Sequence, residues 1–149
     1  MLGADGVWIG TRFLASGEAT VDQSHKERLL QATETGTLFS RVFNGGWGAT
    51  GRVLRNSTVE MREAAGRPES GLLSGEGEVI AEGANGEPVE RYSAISPYTD
   101  VPGDLEGLSN WSGLGVGLVN RIRPAADMEK EIPEEEVQVM RKANDLIRE

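Results

Sequence analysis

Length, composition and charge set the first limits on this chain. Its 149 residues suffice for one domain that buries roughly 70% of its unfolded surface. Fifteen Lys and Arg against 24 Asp and Glu give a formal net charge of −9, which repels nucleic-acid phosphates and anionic membranes. The absence of cysteine and the single histidine exclude disulfides, thiolate redox chemistry and ordinary zinc sites. We therefore expect no metal, nucleic-acid or membrane partner.

Glycine content and hydropathy narrow the class further. Twenty glycines and 5% aromatic residues predict many loops and a thin core. No apolar run approaches the roughly 18 residues that a membrane span needs. The Met1 end has neither the basic start nor the cleavage site of a signal peptide. We expect a cytoplasmic protein.

The first segment resembles a β-then-α unit. The apolar run Val7–Ile9 lies between two glycines, as in a strand that is buried on both faces of a parallel sheet. A modest apolar stripe over 22–33 predicts a helix. Residues 1–35 are thus predicted to form one strand followed by one helix.

The rest of the chain contains both strand and helix signals. The predicted elements are an extended segment over 36–43, a glycine-rich loop over 44–51, a helix over 57–65, a hairpin around Asn85-Gly86, a helix of about four turns over 104–122, and a last helix that begins near Pro133. Together with the first segment, these elements indicate a mixed α/β chain.

Three motifs match patterns of binding or catalytic sites, but for each of them a purely structural role is favoured. Gly46, Gly48 and Gly51 satisfy the dinucleotide pattern G-x-G-x-x-G, but no apolar helix follows within a βαβ unit, so a flexible loop is favoured. The acidic run 134–136 suits the solvated first turn of a helix better than an acid–base pair. His25 has charged neighbours and is predicted to be a surface residue rather than a general base. No residue is assigned a catalytic role.

The turn at Gly10-Thr11 is a candidate phosphate site. A strand that ends there, with a helix soon after, would place main-chain amides and a hydroxyl around an anion, and Gly10 has no Cβ to block its approach. The carboxyl end of a late strand is also where (β/α)8 barrels bind phosphate. A plain strand-to-helix turn explains the same spacing equally well.

Several stretches resemble one known family. "GADGVWIGTRFLAS" (3–16) resembles the last barrel strand of the FMN-dependent nitronate monooxygenases, formerly called 2-nitropropane dioxygenases, whose usual form is near GAxGVQxGTRFL. "RVLRNS" (52–57), "GEGEVIAEGANGEPVERYS" (75–93) and "WSGLGVGLVNRIRPAADM" (111–128) follow that family's C-terminal region in order. The resemblance covers essentially the whole chain.

The resemblance implies a fold, a cofactor and a set of site residues. The fold is the C-terminal fragment of a TIM-type (β/α)8 barrel, with 1–35 as its last β/α unit and 36–149 as a smaller α+β lid domain that carries the hairpin and the C-terminal helices. The cofactor is FMN, with its phosphate at Trp8, Ile9, Gly10 and Thr11, where the last two amides are the strongest candidates. Two residues depart from the family: Trp8 stands where Gln is common, and Leu114 where Ala-Gly-Gln is frequent.

A complete barrel takes about 250 residues, so the resemblance implies that the other phosphate-binding segment and the Gly-Gly-His region with the catalytic base would precede Met1. We therefore expect the fragment alone to be inactive and to bind FMN only weakly, with its first 15 residues poorly ordered or associated with another chain. In the complete enzyme the partners would be an alkyl nitronate and O₂.

Two alternatives remain at this stage. The chain could be a nonenzymatic remnant that binds a partner polypeptide, such as the missing barrel half, through apolar faces near Val7 and over 114–119. It could also be a fragment of a flavin-dependent enoyl reductase, because those enzymes share the opening motif. The later segments favour the nitronate enzymes.

Overall fold

The computed structural model describes residues 7–43 and 49–147. The helices are α1 (Thr11–Leu14), α2 (Gln23–Gln31), α3 (Ser57–Ala64) and α4 (Ala125–Ile147), and the strands are β1 (Thr37–Ser40), β2 (Gly51–Leu54), β3 (Val79–Glu82) and β4 (Pro88–Glu90). Two 3-10 turns cover Glu34–Gly36 and Leu114–Leu118. The presence of both helices and strands confirms the predicted α/β class, without the barrel detail.

Local sequence signals explain α2 and α3. Helix α2 begins after Asp22, whose carboxylate accepts the Ser24 amide at 2.8 Å, and helix α3 begins after Asn56, whose side chain accepts the Val59 amide at 3.0 Å. Such caps satisfy amides that a helix start leaves unpaired. Helix α3 ends just before Gly66, which has a φ of 84°. Both predicted helices are confirmed.

The strands form two separate antiparallel pairs. Strand β1 pairs with β2, with Thr37 opposite Leu54, and β3 pairs with β4, with an irregularity between Val79 and Ala81. The β3–β4 hairpin turns at the predicted Asn85-Gly86 pair, although only Gly86 has a positive φ, 80°. Around this turn the Gly83 amide donates to the Glu87 carbonyl at 2.8 Å.

One apolar cluster joins the first part of the chain to the last. Its buried members come from both sides of residue 35 and are Ala15, Leu29, Leu54, Val116 and Val119. Two isolated bridges also cross that boundary, Ser16 with Arg123 and Val21 with Tyr98. The division into units 1–35 and 36–149 stays a prediction, and the structure packs the two stretches against each other.

Three predicted elements were wrong. Residues 7–10 form no strand, and the side chains of Val7 and Trp8 are 77% and 99% exposed, because no described strand lies beside them to pair with their amides. The predicted helix over 104–122 is reduced to Leu114–Leu118, since its glycines favour turns over helix. Pro133 lies inside α4 rather than at a helix start.

The glycine-rich motif and the start of the chain lie largely outside the described residues. Residues 1–6, Gly46 and Gly48 lie outside the described residues. None of the helices in the described part of the chain is both long and apolar enough to cross a bilayer.

Candidate functional site

The Gly10-Thr11 turn leads directly into α1. The Gly10 carbonyl accepts hydrogen bonds from the amides of Phe13 and Leu14 at 3.0 and 3.1 Å. These two bonds form the single turn of α1. The Thr11 hydroxyl accepts the Gly113 amide at 2.8 Å. The turn therefore lies against the segment just before the Leu114–Leu118 turn, 102 residues later in sequence.

Three main-chain amides at the turn have no hydrogen-bond acceptor in the described part of the chain. Within residues 7–43 and 49–147, none of the Gly10, Thr11 and Arg12 amides donates a hydrogen bond. A Cβ placed on Gly10 would meet no atom within 4 Å, and its φ of −104° is open to any residue. Neither packing nor backbone conformation thus requires glycine here, while close approach of an anion would.

The two other predicted site residues, Trp8 and Ile9, directly precede this turn, and Leu114, which departs from the family pattern, follows its partner Gly113. Trp8 is 99% exposed, and Ile9 is half-buried. Leu114, one residue after the Gly113 amide, is 59% exposed. Exposed apolar side chains thus occur just before the turn, at Trp8, and one residue after its partner Gly113, at Leu114.

Arg12, which sequence reasoning missed, links the turn to α4. Its guanidinium donates to the two carboxylate oxygens of Glu135 at 2.8 and 3.1 Å and lies 3.4 Å from Glu131. Glu131 also pairs with Arg121 and Arg123. These side chains line a cavity of about 260 Å³. The separation of 123 residues between Arg12 and Glu135 left no local signal of this contact.

Helix α4 is fixed at its start by the residues that follow α1. The Glu18 carboxylate accepts the Ala125 amide at 3.0 Å, and this bond is the main reason that the pKa of Glu18 is lowered. The Gly17 amide donates to the Arg123 carbonyl at 3.0 Å. Met128, on the first turns of α4, is 2% exposed. The phosphate candidate and α4 therefore belong to one packed region.

His25 was wrongly predicted to be a surface residue. Its side chain is fully buried, and neither ring nitrogen has a hydrogen-bond partner in the described structure. Burial lowers its pKa from 6.5 to about 4, an effect that the nearby Trp111 carbonyl only partly opposes. A buried, neutral imidazole without access to solvent cannot serve as a general base for a bound substrate.

The remaining motifs behave as structural elements. Residues 134–136 are exposed on α4, and only Glu135 among them has a partner within the described ranges. Gly51 packs against Trp111, whose ring would clash with a Cβ, so its role is packing. The described residues contain no group of three or more His, Cys, Asp or Glu side chains arranged to hold a metal.

Comparison with known proteins decides the family. The sequence profile of the nitronate monooxygenases matches residues 1–135. The chain belongs to the nitronate monooxygenase family. This confirms the resemblance seen in its motifs, and the family is one of flavin-dependent oxidoreductases.

Two curated proteins align with parts of the chain. The nitronate monooxygenase of Neurospora crassa is 26% identical over 149 aligned positions, which cover 90% of this chain and 32% of that protein. The (3aS,4S,5R,7aS)-5-hydroxy-7a-methyl-1-oxo-octahydro-1H-indene-4-carboxyl-CoA dehydrogenase of Mycobacterium tuberculosis is 42% identical over 65 residues, or 44% of this chain and 18% of that one. The chain thus spans about a third or less of each relative.

Solved structures share the fold over nearly the whole chain. FabK from Thermotoga maritima superposes with a TM-score of 0.60 at 26% identity and covers 95% of this chain and 40% of its own. Its M276A mutant gives a TM-score of 0.56 at 23% identity, with 95% and 36% covered, and is evidence for the fold alone.

Proposed function

We propose that this chain is the C-terminal part of an FMN-dependent monooxygenase that oxidises alkyl nitronates with O₂ to carbonyl compounds and nitrite. The family match over residues 1–135 is the observation that carries this proposal. The free amides of the Gly10-Thr11 turn support it, because they suit the anionic end of FMN.

The Gly10-Thr11 turn has the donors to bind one side of a phosphate group. In the proposal, the Gly10 and Thr11 amides donate to phosphate oxygens, and the open space at Gly10 lets the anion approach the backbone. Trp8 and Ile9 precede this turn and complete the proposed phosphate-binding stretch, and the apolar Trp8 ring is exposed. FMN, when bound, supplies the electron transfer to oxygen, and the chain contributes binding and orientation.

His25 does not suit the role of a base toward a nitroalkane, the protonated form of the substrate. It is the only histidine of the chain, its side chain is fully buried, and neither ring nitrogen has a hydrogen-bond partner in the described structure. Because the chain spans about a third of the Neurospora crassa enzyme, we expect the 149-residue chain alone to release no nitrite from an alkyl nitronate. We also expect it to bind FMN weakly, because the turn contacts only one side of the phosphate.

A chimera tests the proposed activity. Residues 1–135 would replace the aligned region of the Neurospora crassa nitronate monooxygenase, and nitrite release from propyl-2-nitronate would be measured under air. Nitrite production that is lost with G10A but kept with G17A, at equal folded content, would support the proposal. A folded, flavin-loaded chimera that releases no nitrite would contradict it.

An enoyl reductase is the second candidate, and its support is the superposition on FabK at a TM-score of 0.60. FabK is a TIM-barrel enoyl reductase. The same residues grafted into the Thermotoga maritima FabK would be assayed for reduction of an enoyl thioester by a nicotinamide cofactor. Activity in this graft together with a silent nitronate chimera would favour the reductase.

A partner-binding module is the third candidate. Four large apolar side chains are exposed near the Gly10 turn and on the Leu114–Leu118 turn: Val7, Trp8, Leu114 and Leu118, at 77, 99, 59 and 85%. A surface of this kind suits a polypeptide partner, and the proposed partner is the rest of a flavin-binding barrel. Capture of a separately expressed N-terminal region of the Neurospora crassa enzyme, lost with a Trp8→Glu, Leu118→Glu double variant, would support this role.

A further inference from the structure

The Gly10-Thr11 turn is held from two directions. On one side the Thr11 hydroxyl accepts the Gly113 amide at 2.8 Å. On the other side the Arg12 guanidinium makes a two-pronged contact with Glu135 at 2.8 and 3.1 Å. Arg12 follows Thr11 directly, so the position of its side chain constrains the backbone that presents the free amides.

Helix α4, which carries Glu135, is itself held in place at its start. The Glu18 carboxylate fixes the helix start through the Ala125 amide, and the buried Met128 anchors the next turn. Glu135 lies about two turns further along α4. Within the described ranges, it is the last residue of α4 that forms a hydrogen bond or an ion pair with the body. The family match also ends at residue 135.

We propose that Glu135 is a positioning residue: through Arg12 it holds the Gly10-Thr11 turn in the conformation that presents its amides. What those amides bind rests on the proposed function, but the ordering of the turn does not. A preorganised anion site loses less conformational entropy on binding than a mobile one. Glu135 would thus act on the phosphate without touching it.

Glu135 is a better test position than Glu131. Glu131 pairs with three guanidiniums, those of Arg12, Arg121 and Arg123, so its removal would also take the paired carboxylate from Arg121 and Arg123. Glu136 is a neighbour of Glu135 on the same helix, is exposed, and has no partner among the residues that the structure describes. E136Q therefore changes the net charge as E135Q does but leaves Arg12 in place.

Amide hydrogen exchange on the full chain measures the order of the turn. The reporters are Phe13 and Leu14, whose amides donate to the Gly10 carbonyl, and Gly113, whose amide donates to Thr11. We expect exchange at these three amides to be roughly threefold to tenfold faster in E135Q and unchanged in E136Q. R12K keeps the charge but loses the two-pronged contact, and it should behave like E135Q. Equal rates in wild type, E135Q and R12K would overturn the proposal.

A second measurement separates this inference from the proposed function. Wild type and both Glu variants would be titrated with FMN and with riboflavin, which lacks the phosphate. We expect a preference for FMN in wild type and E136Q, and a smaller preference in E135Q. If wild type shows no preference, the phosphate site is wrong, and the exchange rates alone then decide the role of Glu135. Faster exchange in E135Q with an unchanged preference for FMN would contradict the positioning role.

Discussion

Gly10 and Gly51 lack a side chain for different physical reasons. At Gly51 a Cβ would collide with the ring of Trp111, whereas at Gly10 it would meet nothing within 4 Å. Both have backbone conformations that other residues can adopt, since neither is among the glycines with positive φ. Packing therefore explains Gly51, whereas for Gly10 the proposed explanation is access of an anion to the backbone.

Replacing Gly10 should separate binding from stability. G10A adds a methyl group in open space, so we expect the free energy of unfolding to change by less than about 0.5 kcal/mol. The preference for FMN over riboflavin should fall roughly tenfold, because the methyl group displaces an anion from a main-chain amide. Urea unfolding and fluorescence titration measure the two effects. G17A, which also adds a Cβ in open space, serves as the control, and an unchanged preference in G10A would argue against the site.

Replacing Gly51 should have the opposite outcome. G51A forces Trp111 to move within the cluster that also contains Phe43 and Val53, and overpacking of this kind costs about 1–3 kcal/mol. Urea unfolding should show that loss relative to G17A, with no separate effect on FMN preference. Wild-type stability in G51A would mean that Trp111 relocates without cost.

At the scale of elements, helix α4 depends on a residue far from it in sequence. Glu18 caps the Ala125 amide, although 107 residues separate the two. Sequence patterns could find helices with local caps, such as α2 after Asp22, and a hairpin with a local turn at Gly86. They could not find a helix whose first amide is satisfied by a distant carboxylate, so Pro133 was mistaken for its start.

Removal of the Glu18 charge should weaken the start of α4. We expect E18Q to reduce the helical signal at 222 nm in circular dichroism, since an anion at a helix N-terminus is stabilising. The pKa of Glu18 is lowered, so its contribution is present above the ordinary glutamate pKa of 4.5 and is lost as the pH falls below that value. E69Q, at an exposed residue outside α4, is the control. Equal helicity in E18Q and E69Q would count against the cap.

At the scale of the whole molecule, one core unites the beginning and the end of the chain. Ala15 and Leu29 pack with Val116 and Val119, and His25 is buried on the same helix as Leu29. The apolar spacing over 22–33 predicted the buried stripe but not the burial of His25, because charged sequence neighbours say little about which face of a helix is covered.

His25 should make stability depend on pH. The pKa of His25 in the folded chain, about 4, lies below the ordinary 6.5. Between pH 4 and pH 6.5 the imidazole is therefore protonated in the unfolded chain and neutral in the folded chain. The free energy of unfolding is then highest above pH 6.5 and falls as the pH drops, by about 2 kcal/mol between pH 7 and pH 5. Urea unfolding of wild type and H25Q at several pH values measures the difference. The same slope in both proteins would show that His25 is not the cause.

The phosphate site at Gly10 and Thr11 stays a prediction. These residues were chosen because they lie in a contiguous motif that resembles a known family, and the profile match confirms that family. The structure added the contacts that set the turn in place, Thr11 with Gly113 and Arg12 with Glu135. Each joins residues more than 100 positions apart, so no local spacing could reveal it.

The far end of α4 has a practical consequence. Side chains from Pro133 to Asp145 are exposed, and past Glu135 none of the described ones forms a hydrogen bond or an ion pair with the body. A fluorophore or a surface tether could therefore be attached near Asn144 while the Gly10 turn stays undisturbed. This helix would serve as a handle for immobilising the protein in single-molecule measurements.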